Sequence, residues 1–191
     1  MLEELIHLDK EAFLYLNGLG TASWDGFWMY LSKKISFITI PLYFLLLTVS
    51  YKSLGLKKTG ILLIAIALMI TCTDQLANFF KYGVKRLRPC YDQEVMDIMR
   101  LVKGYCGGKF GYFSAHAAST MAVASFFCVL FGAKQKLLIG LLFVWALLVG
   151  YSRIYIGVHF PLDVLTGIGI GLLLGWLYAK LYIFALLKIK S

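Results

Sequence analysis

The chain has 191 residues, 60% of them hydrophobic and only 15% charged, a balance that excludes an ordinary soluble domain and points to a membrane protein. Its formal net charge of +9 would suit nucleic acid, but in so apolar a chain the excess of lysine and arginine is better explained by anionic lipid and by topology, so no nucleic-acid partner is expected. Pro41, Pro89 and Pro161 are scattered and no repeat, low-complexity tract or linker interrupts the sequence, so residues 1–191 read as a single membrane domain.

Residues Leu2 to Leu16 place Leu5, Leu8, Ala12 and Leu16 about one helical turn apart, with acids and Lys10 between them, as in a helix lying at the membrane interface. Trp24, Phe27, Trp28 and Tyr30 follow, residue types that favour the headgroup level. The interfacial segment 1–34 is therefore expected to anchor the chain, in preference to binding substrate. Glu3, Glu4, Asp9 and Glu11 argue against a cleavable signal peptide, whose first region is basic.

Apolar runs at Ile35–Tyr51, Thr59–Phe80, Ala115–Gly132, Leu137–Tyr155 and Phe160–Tyr182 approach the ~20 residues a helix needs to cross the hydrocarbon core. The expected fold is all-α: an integral membrane bundle of about five transmembrane helices over 35–182, preceded by interfacial amphipathic helices. Lys52, Lys57, Lys58, Lys134, Lys136, Lys180, Lys188 and Lys190 fall in the short connections and the tail, which hold no acid, and the positive-inside rule makes that face cytoplasmic. The opposite face receives the N-terminal segment, the long loop from about Lys81 to Phe113, and the turn around Val158.

Three segments on that opposite face carry polar residues. In the first, Lys81 and Arg88 stand seven residues apart, nearly two helical turns, so a continuing helix would put both cations on one side to grip a phosphoryl group; lysines attracted to lipid headgroups are the simpler alternative. In the second, Ser114 occupies an N-cap position before a long apolar helix whose free N–H groups, at Ala115 and beyond, would cradle phosphate, with His116 beside them. A lone interfacial histidine is more often structural.

The third segment runs Ser152-Arg153 to His159 and Pro161 to Asp163. Pro161 suits the first position of the last helix, which puts Asp163 in the first turn, where its carboxylate can cap the helix and also reach back to the His159 imidazole. A carboxylate that fixes one tautomer leaves the other ring nitrogen able to attack. Asp74 and Asn78 lie on the Lys81 face of the second span, where a buried carboxylate needs a partner, and a supporting network behind the site is expected of them.

Taken together these residues resemble the type-2 phosphatidate phosphatase superfamily, which also includes vanadium haloperoxidases. Its first signature, a lysine, six residues and Arg-Pro, matches Lys81 and Arg88-Pro89; its third matches Ser152, Arg153, His159 and Asp163. The second, usually Pro-Ser-Gly-His, reads Phe113-Ser114-Ala115-His116, so two of four positions depart, which bears on substrate preference more than on chemistry. The likeness covers roughly Thr59 to Gly175.

The resemblance implies a membrane lipid phosphatase with His159 as nucleophile, His116 as proton donor to the leaving oxygen, and Asp163 bracing His159. Lys81, Arg88, Ser114, Ala115 and Arg153 would bind phosphate, with no metal and no cofactor. Undecaprenyl pyrophosphate, phosphatidylglycerol phosphate, phosphatidate and the phosphate of lipid A are the implied candidate substrates, and a bacterial inner membrane with the site on the periplasmic face is the implied location. Phosphotransfer to a second acceptor and anionic-lipid binding or transport without catalysis remain as alternatives.

Cys72 and Cys128 fall inside spans, whereas Cys90 and Cys106 flank the outer loop, where either a disulfide or two free thiols would fit. Gly167, Gly171 and Gly175 recur every four residues on the last span, a close-packing stripe that serves either the monomer or a dimer, so the oligomeric state stays open.

Overall fold

The structure, a computed structural model, describes residues 1–33 and 36–190. The expected start of the first span at Ile35, and with it the boundary between segments 1–34 and 35–182, lies outside the described residues. Among the described residues, seven α-helices make up the fold: α1 (Leu2–Gly18), α2 (Ala22–Leu31), α3 (Thr39–Leu54), α4 (Leu56–Val84), α5 (Ala115–Phe131), α6 (Lys136–Tyr155) and α7 (Pro161–Lys190). The five apolar helices α3 to α7 fall on the five expected runs.

Three of them, α4, α6 and α7, are long and apolar enough to cross a membrane, while α3 and α5 have 16 and 17 residues. The shortness of α5 has a physical reason. It is buried along most of its length among other helices, so the protein interior and not the bilayer thickness sets its extent.

Gly171 and Gly175 show how α5 and α7 approach so closely. A Cβ at Gly171 would run into the Ala118 carbonyl oxygen, one at Gly175 into that of Ala122, and one at Gly167 would lie 2.6 Å from that of Ser114. The glycine stripe therefore serves packing within the monomer. Ala117, Ala118 and Ala122 on α5 present correspondingly small side chains, and all are buried.

Successive helices from α3 to α7 alternate in direction. At one end lie Gly55 between α3 and α4, the α5–α6 connection and the end of α7; there the Tyr182 hydroxyl donates to the Lys58 carbonyl over 3.2 Å. The lysines assigned to the cytoplasm sit at this end. The other end gathers the tip of α4, loop 85–114, the start of α5, the turn 156–160 and helices α1 and α2.

The N-terminal helices do more than anchor. Leu5 and Leu8 point outward, 47% and 55% exposed, as an interfacial helix requires, but the adjoining face of α1 buries Asp9, Phe13 and Asn17 against the protein. Asn17 Nδ2 donates to the carbonyls of Arg100, Ile154 and Tyr155 at 3.0, 3.1 and 2.9 Å, while its Oδ1 accepts from the Arg100 N–H at 2.7 Å. One amide side chain thus ties α1 to the end of α6 and to the long loop, a satisfied buried polar hub that simple anchoring does not require.

Candidate active site

At the gathered end, Asp74, Asn78, Lys81, Arg88, Ala115, His116, Arg153 and His159 line one cavity of about 260 Å³. They come from α4, the following loop, the first turn of α5, the last turn of α6 and the turn before α7. Each reaches the cavity for a local reason.

Lys81 stands in the last turn of α4. The helix stops at Val84 because Lys85 turns left-handed, with φ 54°, so Lys81 and Arg88 do not share a continuous helix as their spacing had suggested. Arg88 instead precedes Pro89, which holds it extended, and it enters the cavity from a ribbon in which Leu87 pairs with Phe110. The Arg88 N–H donates to the Lys109 carbonyl at 3.1 Å and the Gly111 N–H to the Arg86 carbonyl at 2.9 Å.

The Arg88 guanidinium is aimed by carbonyl oxygens: Nε donates to Phe110 at 3.2 Å, and Nη1 to Cys106 at 3.3 Å and Val158 at 3.4 Å. Its burial pushes the guanidinium below its usual value, opposed by the charge of Asp163. Cys90 and Cys106 are joined as a disulfide with Cα atoms 6.2 Å apart, which closes the loop directly behind this arginine. Cys72 and Cys128 carry free thiols.

Ser114 caps α5 by position but not by side chain. Its N–H donates to the Asp163 carbonyl at 2.9 Å, and its buried Oγ has no hydrogen-bond partner among the described residues. Ala115 and His116 line the cavity, whereas Ser114 lies outside its wall. The Ser114 hydroxyl thus makes no hydrogen bond to the described residues.

Arg153, buried on α6, donates from Nη1 to the hydroxyl of Ser32 at the end of α2, and its Nε has no partner among the described residues. Lys81, Arg88 and Arg153 thus bring three cationic side chains to one cavity. Such a wall has the charge and the donors to surround the oxygens of a phosphoryl group.

His159 and Asp163 are both buried. Nδ1 of the imidazole faces Oδ2 of the carboxylate at 3.4 Å, and the same oxygen accepts the Phe160 N–H at 3.0 Å, so Asp163 caps the helix and contacts the histidine at once. Burial pushes the His159 imidazole down to about 4, against the opposing pull of Asp163. Gly111 covers the pair; a Cβ there would lie 2.9 Å from Arg88 Cγ and 3.4 Å from Asp163 Oδ2.

Asp163 has a further neighbour, Arg86, that the sequence did not bring forward, and Arg86 is shared with Asp9. Arg86 Nη1 donates to Asp163 Oδ1 at 2.8 Å, and Arg86 Nη2 pairs with Asp9 Oδ2 on α1. Asp9 Oδ1 accepts the Leu162 N–H at 2.8 Å, Arg86 lies 4.6 Å over the Phe160 ring, and Phe13 meets that ring edge-on at 5.2 Å. Burial raises the Asp9 carboxyl above its ordinary value, with Arg86 and the Leu162 N–H pulling it back. A usable signal was present: Asp9, Phe13 and Asn17 recur every four residues, a stripe that adjoins the apolar one.

A model of the PAP2 superfamily matches residues 58–185. The chain belongs to the PAP2 superfamily. Among its relatives are proteins named lipid A 4'-phosphatase in Bacteroides thetaiotaomicron, 35% identical over 93% of this chain and 78% of the relative, and in Porphyromonas gingivalis, 34% identical over 96% and 77%. The crystal structure of Aquifex aeolicus LpxE matches it with a TM-score of 0.64 at 27% identity, covering 89% of this chain and 93% of that one. The PAP2 match spans the helices that surround the cavity, and the protein is an integral membrane member of the superfamily.

Proposed function

We propose that this chain, a membrane phosphatase of the PAP2 superfamily, hydrolyses the phosphate ester of an amphiphilic lipid through a phosphohistidine on His159. The single observation that supports this most is the cavity in which two histidines, two arginines and a lysine from separate stretches of chain face one another. With Nδ1 turned to Asp163, Nε2 of a neutral imidazole is the nitrogen that attacks phosphorus.

In the first step the Nε2–P bond forms and the ester P–O bond breaks, while His116 gives its proton to the departing oxygen. In the second, His116 takes a proton from the water that attacks phosphorus, the P–N bond breaks, and inorganic phosphate leaves. Lys81, Arg88, Arg153 and the N–H groups at Ala115 and His116 hold the three oxygens over which charge spreads, and Asp163 stabilises the imidazolium as it develops. Asp74 and Asn78 line the floor beside Lys81 and support it. The whole chain, residues 1–191, acts as one unit in this reading, since α1 and α2 supply contacts to the site.

The substrate is drawn from the membrane because the cavity opens at helix ends. The two relatives named lipid A 4'-phosphatase support a lipid A phosphate as the first substrate to test, ahead of phosphatidylglycerol phosphate, phosphatidate and undecaprenyl pyrophosphate. The lysine-rich end supports an inner-membrane orientation with the cavity on the periplasmic side. The test is phosphate release from these lipids by purified protein in detergent with EDTA present. Release that falls at least about a hundredfold in His159→Ala and is blocked by vanadate is expected. Activity within a few fold of the parent in that variant rejects the assignment, and tight lipid binding with no release favours a binder.

A further inference from the structure

Arg153 and Ser32 are only 6% and 8% exposed, and the Arg153 guanidinium donates from Nη1 to the Ser32 hydroxyl at the end of α2. We infer that Ser32 is a positioning residue, which aims Arg153 at the phosphoryl group without neutralising its charge. This rests on the phosphatase reading above. Ser32 precedes residues 58–185 of the family match, so a helix outside the family core completes the grip on phosphate.

The arginines of the chain, at 86, 88, 100 and 153, fall into two kinds. Arg86 is held by the carboxylates of Asp9 and Asp163, and Arg100 by that of Asp25; neither arginine lines the phosphate cavity. Arg88 and Arg153 do line it, and neither pairs with a carboxylate among the described residues. Carbonyl oxygens hold Arg88, and the Ser32 hydroxyl holds Arg153. A carboxylate would compete with phosphate for the same donors. A neutral oxygen orients the fork and leaves its charge for the substrate.

A guanidinium is planar, so fixing Nη1 fixes the direction of the whole group. Nη1 is taken by Ser32 and Nε is enclosed without a partner among the described residues, which leaves Nη2 as the nitrogen open to the cavity. Arg88 lines the same cavity, and its like charge pushes Arg153 away unless an anchor holds it. Ser32 is that anchor, and it stands at the carboxyl end of α2, whose last carbonyls carry partial negative charge and favour a cation there. Ser32 also lines a neighbouring cavity of about 100 Å³ that shares His116, so one added methyl group at this position has room.

Ser32→Ala is compared with wild type on lipid A and phosphatidate in detergent, together with Ser32→Thr and Ser32→Val, which share one shape and differ in the hydroxyl; inhibition by vanadate is measured alongside. Ser32→Ala and Ser32→Val are expected to lower kcat/KM about tenfold and to weaken vanadate inhibition by a similar factor, while Ser32→Thr stays within about twofold of wild type. In an Arg153→Ala background, loss of the hydroxyl should cost less than about twofold, because nothing is left to position; in Lys81→Ala it should cost its full factor. Unchanged vanadate inhibition in Ser32→Ala and Ser32→Val, an equal loss in Ser32→Thr and Ser32→Val, or a full further loss in Arg153→Ala each overturns the inference. Ser32→Thr against Ser32→Val decides by itself if Ser32→Ala fails to fold or Arg153→Ala is too slow to measure. Wild type that releases phosphate from neither lipid rejects the phosphatase reading itself, whereas turnover indifferent to Ser32 rejects only the positioning role.

Discussion

Arg86 donates to one oxygen of Asp163 over 2.8 Å, and the other oxygen of the same carboxylate faces His159 Nδ1 at 3.4 Å. The proposed nucleophile is therefore braced by an acid that is itself held by an arginine, and that arginine is shared with Asp9 on the N-terminal helix. The chain from α1 to the imidazole runs through buried, charge-assisted contacts, where a lost partner is felt most.

Replacing Arg86 by Gln leaves Asp9 and Asp163 without their common cation. The carboxylate of Asp163 then turns or takes up a proton, and the imidazole loses its fixed tautomer. A kcat lowered about tenfold to a hundredfold is expected, the range seen when supporting contacts to a reactive group are removed, with KM changed much less because Arg86 does not line the phosphate cavity. Asp9→Asn should follow in the same direction with a smaller loss. Steady-state kinetics on a lipid phosphate separate kcat from KM, and an unaltered kcat in Arg86→Gln would remove Arg86 from the positioning role.

The imidazole of His159 titrates low because its burial penalises the charged form more than Asp163 favours it. With a folded value near 4 against 6.5 for the free side chain, the proposed nucleophile stays neutral throughout pH 5–8. Between these two values the unfolded chain takes up a proton that the folded protein refuses. The stabilising share of this group is full above pH 6.5 and falls away as pH drops toward 4. Histidine-labelled NMR in micelles, assigned with His159→Gln, should show the resonance of His159 unmoved on titration from pH 7 to 5.5; a midpoint near 6.5 would contradict the burial account.

The sequence carried the proposed reacting set further than it carried the support. His116, His159, Asp163 and the cations Lys81, Arg88 and Arg153 were legible because each lies in a short local pattern tied to a helix end, and apolar length alone located α3 to α7. Arg88 was found for an incomplete reason, since a left-handed Lys85 ends the helix and the loop ribbon completes the approach. Arg86, Asp9, Asn17 and Ser32 escaped because their partners are 77 to 138 residues away, or farther still for Asp9 and Leu162, and no local spacing encodes such contacts. Ser114 holds the expected cap position, with a buried hydroxyl that has no partner among the described residues.

The disulfide between Cys90 and Cys106 encloses the loop whose Cys106 carbonyl accepts from Arg88. Opening it frees a segment with a sequence separation of 16, for which a loss of roughly 2–4 kcal/mol is typical. Cys90→Ser with Cys106→Ser should lower the melting temperature and raise KM severalfold, since Arg88 is expected to bind phosphate in both ground and transition states, while kcat declines less. The same shift should appear in wild type after reductant. Equal thiol counts with and without reductant would show that no bond forms.

Close contact between α5 and α7 sets where His116 stands relative to His159, and the glycine stripe permits it. Gly171→Ala puts a methyl group against the Ala118 carbonyl, so a destabilisation of about 1–3 kcal/mol is expected from overpacking. Gly169→Ala, two residues away with nothing within 4 Å of the added carbon, should be neutral or slightly stabilising, which makes it the control for helix propensity. Gly167→Ala is the informative third case, because its methyl group would press on the Ser114 carbonyl at the first turn of α5. It should depress kcat beyond what its melting temperature explains, by shifting His116 away from the leaving oxygen. Loss of activity in proportion to stability across all three variants would instead mean that the stripe only holds the bundle together.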